Sequence, residues 1–318
     1  MPTVGVDLGG TNVVALVLDQ DDQVLGRTTM RTPRTEDRGA VLEVMEAAIH
    51  DALSRADLSI GQVDAIGVGT PGVVVDGSVG GASNVAGWYE RFALSTHFAE
   101  QVGIPVRVSN DVNAAAIGEH RLGAGQGYED VLVIFVGTGV GGGLILQGEL
   151  FEGKFGGAGE FGHTVVVRGG AVCPCGRRGC VEAYAGRRAM AQKAERLVAA
   201  GRETILFDVM DAQDKNRPSS GVFRDALDKG DPMAADLIDE AVEALGAGVG
   251  SAVNLLDVEL VVIGGGLADK LAPQFIGRIE AAARPHLFLQ PPHVGFAPAA
   301  LGDQAGALGA ALLARHIP

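Results

Sequence analysis

Cations are scarce in this chain. Its 25 lysines and arginines stand against 39 aspartates and glutamates, a formal net charge of −14 over 318 residues. A nucleic-acid surface needs a basic face, so a nucleic-acid partner is not expected. The same shortage implies that a phosphate-bearing ligand is held by backbone N–H groups and a divalent cation rather than by a field of lysines. Aromatic residues are few as well, at 5%, so the 47% of hydrophobic residues must build a core from Val, Leu, Ile and Ala. No uninterrupted apolar run approaches the roughly 18 residues of a membrane span, and no membrane partner is expected. Met1-Pro2-Thr3-Val4 enters a strand without the basic and apolar regions of a signal peptide. Only three cysteines are present, all between 173 and 180, which is not a disulfide framework. Together these absences predict a cytoplasmic protein, long enough for two domains and a sizeable core.

The little cysteine there is says most about function. Gly159-Glu160-Phe161-Gly162-His163 precedes Cys173-x-Cys175-Gly-x-x-Gly-Cys180-x-Glu182. Two sulfurs one residue apart suit a shared metal better than a bridge between them. Cys173, Cys175 and Cys180 with His163 make three thiolates and one imidazole, the closed tetrahedral shell of a structural Zn²⁺. Reduced, buried thiols are the competing reading. Gly176 and Gly179 favour the metal, because they supply tight turns that let ligands converge. Glu160 and Glu182 bracket the knot, and neither is needed as a ligand. A clip holding two carboxylates near one another suggests a site for a hydroxyl-rich molecule.

Periodicity organises the rest. Residues 3 to 8 predict a strand, Asp7 to Asn12 a tight turn, Val13 to Leu18 a returning strand and Val24 to Thr32 a third. From Glu36 to Arg55, Leu42, Met45, Ile49 and Leu53 recur at helical spacing. Val63 to Gly69 predicts a strand ending at Thr70-Pro71-Gly72, and Pro105 to Val108 another, delivering Ser109-Asn110-Asp111. A helix from Val112 to Arg121 follows, with Asp111 at or near its N-cap. Val131 to Val136, Gly137-Thr138-Gly139-Val140-Gly141 and Gly142 to Gln147 repeat the opening plan of strand, Gly/Thr turn, strand, and self-similarity of this kind suggests two related lobes. Residues 187 to 256 predict helices. A strand over 259–263 then leads through Gly264-Gly265-Gly266 into a helix from Leu267 to about Ala283, and a last helix covers about Asp303 to Arg315.

Gly137-x-Gly139-x-x-Gly142 matches the dinucleotide fingerprint, which requires a helix next. A second short strand follows instead, so that reading fails. Successive N–H groups in both Gly/Thr turns can point into one concavity and bind an anion, although either turn alone is an ordinary hairpin. Asp7, beside the first, can hold water molecules on a Mg²⁺ ion.

These segments together resemble the ROK family of sugar kinases and sugar-responsive repressors, and within it most of all the bacterial glucokinases. The likeness rests on Asp7-Leu-Gly-Gly-Thr-Asn12, Ser109-Asn110-Asp111-Val-Asn113-Ala-Ala, Gly137-Thr-Gly-Val-Gly141 and the cysteine stretch, and runs from Val4 to the final helix. It implies an α/β actin-like ATPase (ribonuclease H-like) fold, two lobes around a cleft. The N-terminal lobe is expected over 1–118 plus about 301–318, and a C-terminal lobe with the zinc-binding loop over 119–300. It implies ATP-dependent phosphorylation of glucose to glucose 6-phosphate, with another hexose or a non-catalytic sugar sensor as alternatives. The sensor is disfavoured because the phosphate hairpin begins at Thr3, leaving no room for a DNA-binding module. By the resemblance Asp111 is the catalytic base, and Asn110, Glu160, His163 and Glu182 contact the sugar. Gly9, Gly10, Thr11 and Asn12 with Gly137, Thr138 and Gly139 are the phosphate loops, and the turn at Gly265 is the adenosine side. A loop from Gly81 to Trp88 near the sugar and a homodimer or homotetramer complete these expectations.

Overall fold

Two five-stranded sheets carry the same strand order. The computed structural model describes every residue except 34, 36, 83, 84, 86, 272, 291, 292 and 316–318. The expected helix start at Glu36, part of the 81–88 loop, one residue of the 267–283 helix and the last three residues of the expected N-terminal lobe therefore lie outside the described residues. In the first half of the chain, β1 (Thr3–Leu8), β2 (Asn12–Leu18) and β3 (Val24–Arg31) precede helix α1 (Arg38–Arg55). Then come β4 (Ala65–Thr70), the short hairpin β5 (Val73–Val75) and β6 (Ser78–Gly80), α2 (Leu94–Val102), β7 (Val106–Asn110) and α3 (Asp111–Leu122). The second half opens with β8 (Val131–Val136), β9 (Val140–Leu146) and β10 (Glu149–Leu150). Helices α4 (Glu182–Ala185), α5 (Arg187–Ala199), α6 (Leu206–Ala212), α7 (Ser220–Asp228) and α8 (Pro232–Leu256) follow. Last are β11 (Leu260–Gly264), α9 (Gly266–Leu271), α10 (Gln274–Ala283), β12 (Gly295–Pro298) and α11 (Ala305–Ala314).

The first sheet runs β3-β2-β1-β4-β7 and the second β10-β9-β8-β11-β12. In each, a hairpin pairs antiparallel (Asp7 with Val14; Phe135 with Gly141) and two later strands add in parallel. The duplication expected from the two Gly/Thr turns is thus present strand by strand. Antiparallel pairing of β8 with β9 also removes the helix that a dinucleotide fingerprint requires.

Between the sheets lies a shared apolar layer. Leu16 of β2, Ala116 of α3, Val133 of β8, Val262 of β11 and Ala311 of α11 all belong to it. Helix α11 packs on β1 and β4 and against α3, so the last described helix closes onto the first sheet. Its Ala/Gly sequence permits this: a Cβ on Gly309 would stand 1.6 Å from the Ala114 carbonyl oxygen, and one on Gly67 would stand 1.8 Å from that of Ala310. Only a glycine fits where backbones meet this closely.

Several expectations change. The helix expected over 267–283 is two helices, α9 and α10, with Pro273 at the break, where its ring removes a donor. Asp111 is next to the N-cap of α3, as expected, and the cap itself is Asn110, whose side chain accepts from the Val112 and Asn113 N–H groups. Hairpin β5–β6, helix α2 and strand β12 carry too few patterned residues to have been expected.

Candidate active site

Asp111, Pro71, Thr138 and Gly265 share one feature. Each follows the carboxyl end of a parallel strand, respectively β7, β4, β8 and β11, which is where open α/β sheets bind ligands. These ends converge on a single cleft of about 880 Å³. Asn110, Asp111, Glu160, His163 and Glu182 line it, as do Gly137, Thr138, Gly139, Gly265 and Cys175. The first turn is not on its wall: Asp7, Gly9, Gly10, Thr11 and Asn12 lie outside the lining. Asp7 is nonetheless near enough to Asp111 for the second charge to act on it. From the 81–88 loop, Gly81 and Ala82 reach the cleft.

Asp111 is positioned by helix entry. Its carboxylate accepts from the Val112 N–H at 3.0 Å while Asn110 caps the helix and donates to the Gly72 carbonyl at 3.1 Å. Asn110 thereby fastens the end of β7 to the turn after β4. Burial pushes Asp111 up to about 6, against the hydrogen bonds it accepts, and the Glu160 charge adds to the rise. Burial and then the Asp111 charge push Asp7 up to about 7. Two carboxylates that resist ionisation together fit a nearby divalent cation, which would relieve both.

On the opposite wall, the ligand atoms of His163, Cys173, Cys175 and Cys180 all lie within 4.8 Å of one another. His163 Nδ1 is 3.7 Å from Cys173 Sγ, and Cys175 Sγ is 3.9 Å from Cys180 Sγ. A tetrahedron with Zn–S bonds of about 2.3 Å has edges of about 3.8 Å, so the donor set fits Zn²⁺ in spacing and in kind. Burial pushes the Cys173 thiol up, so a thiolate there calls for a cation. Glu182 links this knot to the glycine turn. One of its oxygens lies 3.8 Å from Cys173 Sγ, and the other accepts from the Val140 N–H at 2.9 Å. A Cβ on Gly139 would approach that oxygen to 2.2 Å, so only glycine leaves it room.

Among the described residues no lysine lines the cleft, but three arginines stand in or beside it. Arg177 and Arg188 line the cleft, and Arg187 donates to the Thr138 hydroxyl at 3.0 Å. Arg177 sits inside the cysteine motif and Arg187-Arg188 opens α5, so net charge concealed a local cluster. Buried Asn113, two residues beyond Asp111, also reaches the cleft.

A pair of ribonuclease H-like sheets around a cleft, one wall acidic and the other glycine-turned, defines the class of actin-like ATPase folds. The chain belongs to the ROK family, whose model matches residues 3–317. It is 34% identical to a glucokinase of Streptomyces coelicolor over 99% of this chain and 98% of that protein. It is 30% identical to an N-acetylmannosamine kinase of Escherichia coli O157:H7, covering 99% of each. Among solved structures, a ROK family glucokinase from Streptomyces griseus in complex with glucose and AMPPNP superposes with a TM-score of 0.84 at 36% identity, covering all of both chains.

Proposed function

We propose that this chain is an ATP-dependent hexokinase-type phosphotransferase that converts glucose to glucose 6-phosphate. The observation that carries the reading is Asp111: a carboxylate raised to about 6, in a cleft whose other wall presents the second glycine turn. A base of that strength is mostly ionised at neutral pH and still basic enough to take a hydroxyl proton. Asp111 takes the proton of the sugar hydroxyl as its oxygen bonds to the γ-phosphorus, and the bond to the leaving ADP oxygen breaks. Such transfer has a loose transition state, so positioning and charge neutralisation matter more than a strong base. Asn110, Glu160, His163 and Glu182 hold the sugar hydroxyls beside Asp111. Thr138 and Gly139 take the donor phosphates, with Gly137 shaping the turn and Gly265 on the adenosine side. Asp7 and the turn of Gly9, Gly10, Thr11 and Asn12 serve the phosphates from the first sheet, where Asp7 would hold waters of a Mg²⁺ ion that neutralises phosphate charge. His163, Cys173, Cys175 and Cys180 would hold a Zn²⁺ ion that supplies rigidity rather than chemistry, since four protein ligands would leave it no open position.

The lobes are taken as 1–118 with about 301–318, and 119–300, closing on sugar to exclude water. The protein is taken as a cytoplasmic homodimer or homotetramer, and no helix among the described residues is long and apolar enough to cross a membrane. The relative named N-acetylmannosamine kinase supports a second reading, phosphorylation of another hexose at the same site. ADP release measured across glucose, N-acetylglucosamine, mannose, N-acetylmannosamine and fructose separates them. Glucose should give the highest kcat/KM. Release with none of these sugars would remove the kinase reading.

A further inference from the structure

Arg187 is a half-buried guanidinium with only neutral partners. Its side chain donates to the Ser220 hydroxyl at 2.6 Å and to the Thr138 hydroxyl at 3.0 Å. Among the described residues it pairs with no carboxylate, whereas Arg202, Arg278 and Arg315 each do. Desolvation draws its pKa down, which records the cost of holding the charge there. A guanidinium carries five N–H donors, so the two hydroxyls leave three for another acceptor.

Its position says what the acceptor is. The backbone N–H groups of Arg187 and Arg188 donate to the Gly137 and Thr138 carbonyls at 3.1 Å each. The entry of α5 therefore turns those carbonyls away from the cleft. Glu182 takes the Val140 N–H, and Gly137 donates within the turn to Gly139. The Thr138 and Gly139 N–H groups have no protein acceptor among the described residues. They lie beside the Thr138 hydroxyl that Arg187 already holds. On the far side of Arg187, a Cβ on Gly266 would stand 3.7 Å from its Nη1 and 3.4 Å from Ser220 Oγ. Arg187 thus spans from the glycine turn after β8 to the turn after β11, the two ends of the nucleotide side.

We propose that Arg187 is a binding residue for the polyphosphate chain of the nucleotide donor, acting with Thr138 and its adjacent free N–H groups. This rests on the kinase reading above. A planar guanidinium meets phosphate oxygens in a paired, charge-assisted geometry, and the local cation offsets the acidity of the rest of the chain.

The test compares wild type with Arg187→Ala and Arg187→Lys. Loss of a charged hydrogen bond should raise KM for ATP about 10- to 100-fold in Arg187→Ala while KM for glucose stays within about twofold. Arg187→Lys should recover part of that loss. Inorganic tripolyphosphate should bind wild type and lose affinity in Arg187→Ala by calorimetry, with adenosine binding unchanged. Unchanged KM for ATP overturns the proposal. So does loss of adenosine rather than tripolyphosphate binding, or an equal rise in both KM values with a lower melting temperature. A wild type that phosphorylates no sugar sinks the kinase reading, and the tripolyphosphate comparison then still decides whether Arg187 binds phosphate.

Discussion

Glu182 accepts the Val140 N–H at 2.9 Å with one carboxylate oxygen, and its other oxygen stands 3.8 Å from Cys173 Sγ. One side chain therefore ties the cysteine knot to the glycine turn after β8. Removing the metal should disturb both substrates rather than the sugar alone. Chelator-treated protein, or Cys175→Ser, is expected to lose at least about tenfold in affinity for glucose and for ATP in calorimetry. Loss confined to glucose would mean that the turn is held by β8 and β9 without help.

Asp111→Asn keeps the shape of the side chain and removes its basicity. The Val112 N–H can still donate to the amide oxygen, so folding and glucose affinity should change little. Turnover should fall about 10²- to 10⁴-fold. An asparagine variant with near-normal kcat removes Asp111 from the proton transfer.

Activity and stability should have opposite pH slopes. Asp7 and Asp111 rise from 3.8 to about 7 and about 6, so the folded chain binds more protons than the unfolded chain across roughly pH 4 to 7. Stability of the ligand-free protein then declines as pH climbs through that window. Catalysis needs ionised Asp111, so kcat/KM should drop about tenfold per pH unit below 6. The two carboxyls interact, and the observed midpoints belong to the pair. Thermal melting and initial rates from pH 5 to 8 test both slopes, and Asp7→Asn should flatten the stability decline. Constant kcat/KM down to pH 5 contradicts the assignment.

Packing of α11 offers a separate test. Gly309→Ala must push apart α11 and α3, whose backbone leaves no room for a Cβ. Overpacking of this kind costs about 1–3 kcal/mol, and more where backbone is the obstacle. Denaturant unfolding should show a loss near or above the top of that range. A loss under 0.5 kcal/mol, roughly that of a surface change, would place α11 elsewhere.

The sequence showed the site better than its surroundings. Val131 to Val136 and its glycine turn were readable because alternation and turn residues are local signals, and the repeated plan exposed the two-sheet design. The cysteine spacing displayed the His163–Cys173–Cys175–Cys180 cluster for the same reason. Arg187 was invisible, since its meaning comes from Ser220 and Thr138, respectively 33 and 49 positions away in the chain. The break at Pro273 was legible in principle, but the apolar run on both sides masked it. Adjacent residues that can both cap a helix leave open which of Asn110 and Asp111 does so, and the structure gives the cap to Asn110.

The central claim is that Asp111 receives the proton of the sugar hydroxyl that attacks the γ-phosphoryl group. A crystal structure of this chain with glucose and AMPPNP tests it most directly. The glucose 6-hydroxyl oxygen should lie about 2.6–3.2 Å from an Asp111 carboxylate oxygen, facing the Thr138 turn. Glucose bound with that hydroxyl turned away from Asp111, beyond the reach of one bridging water, would contradict the account.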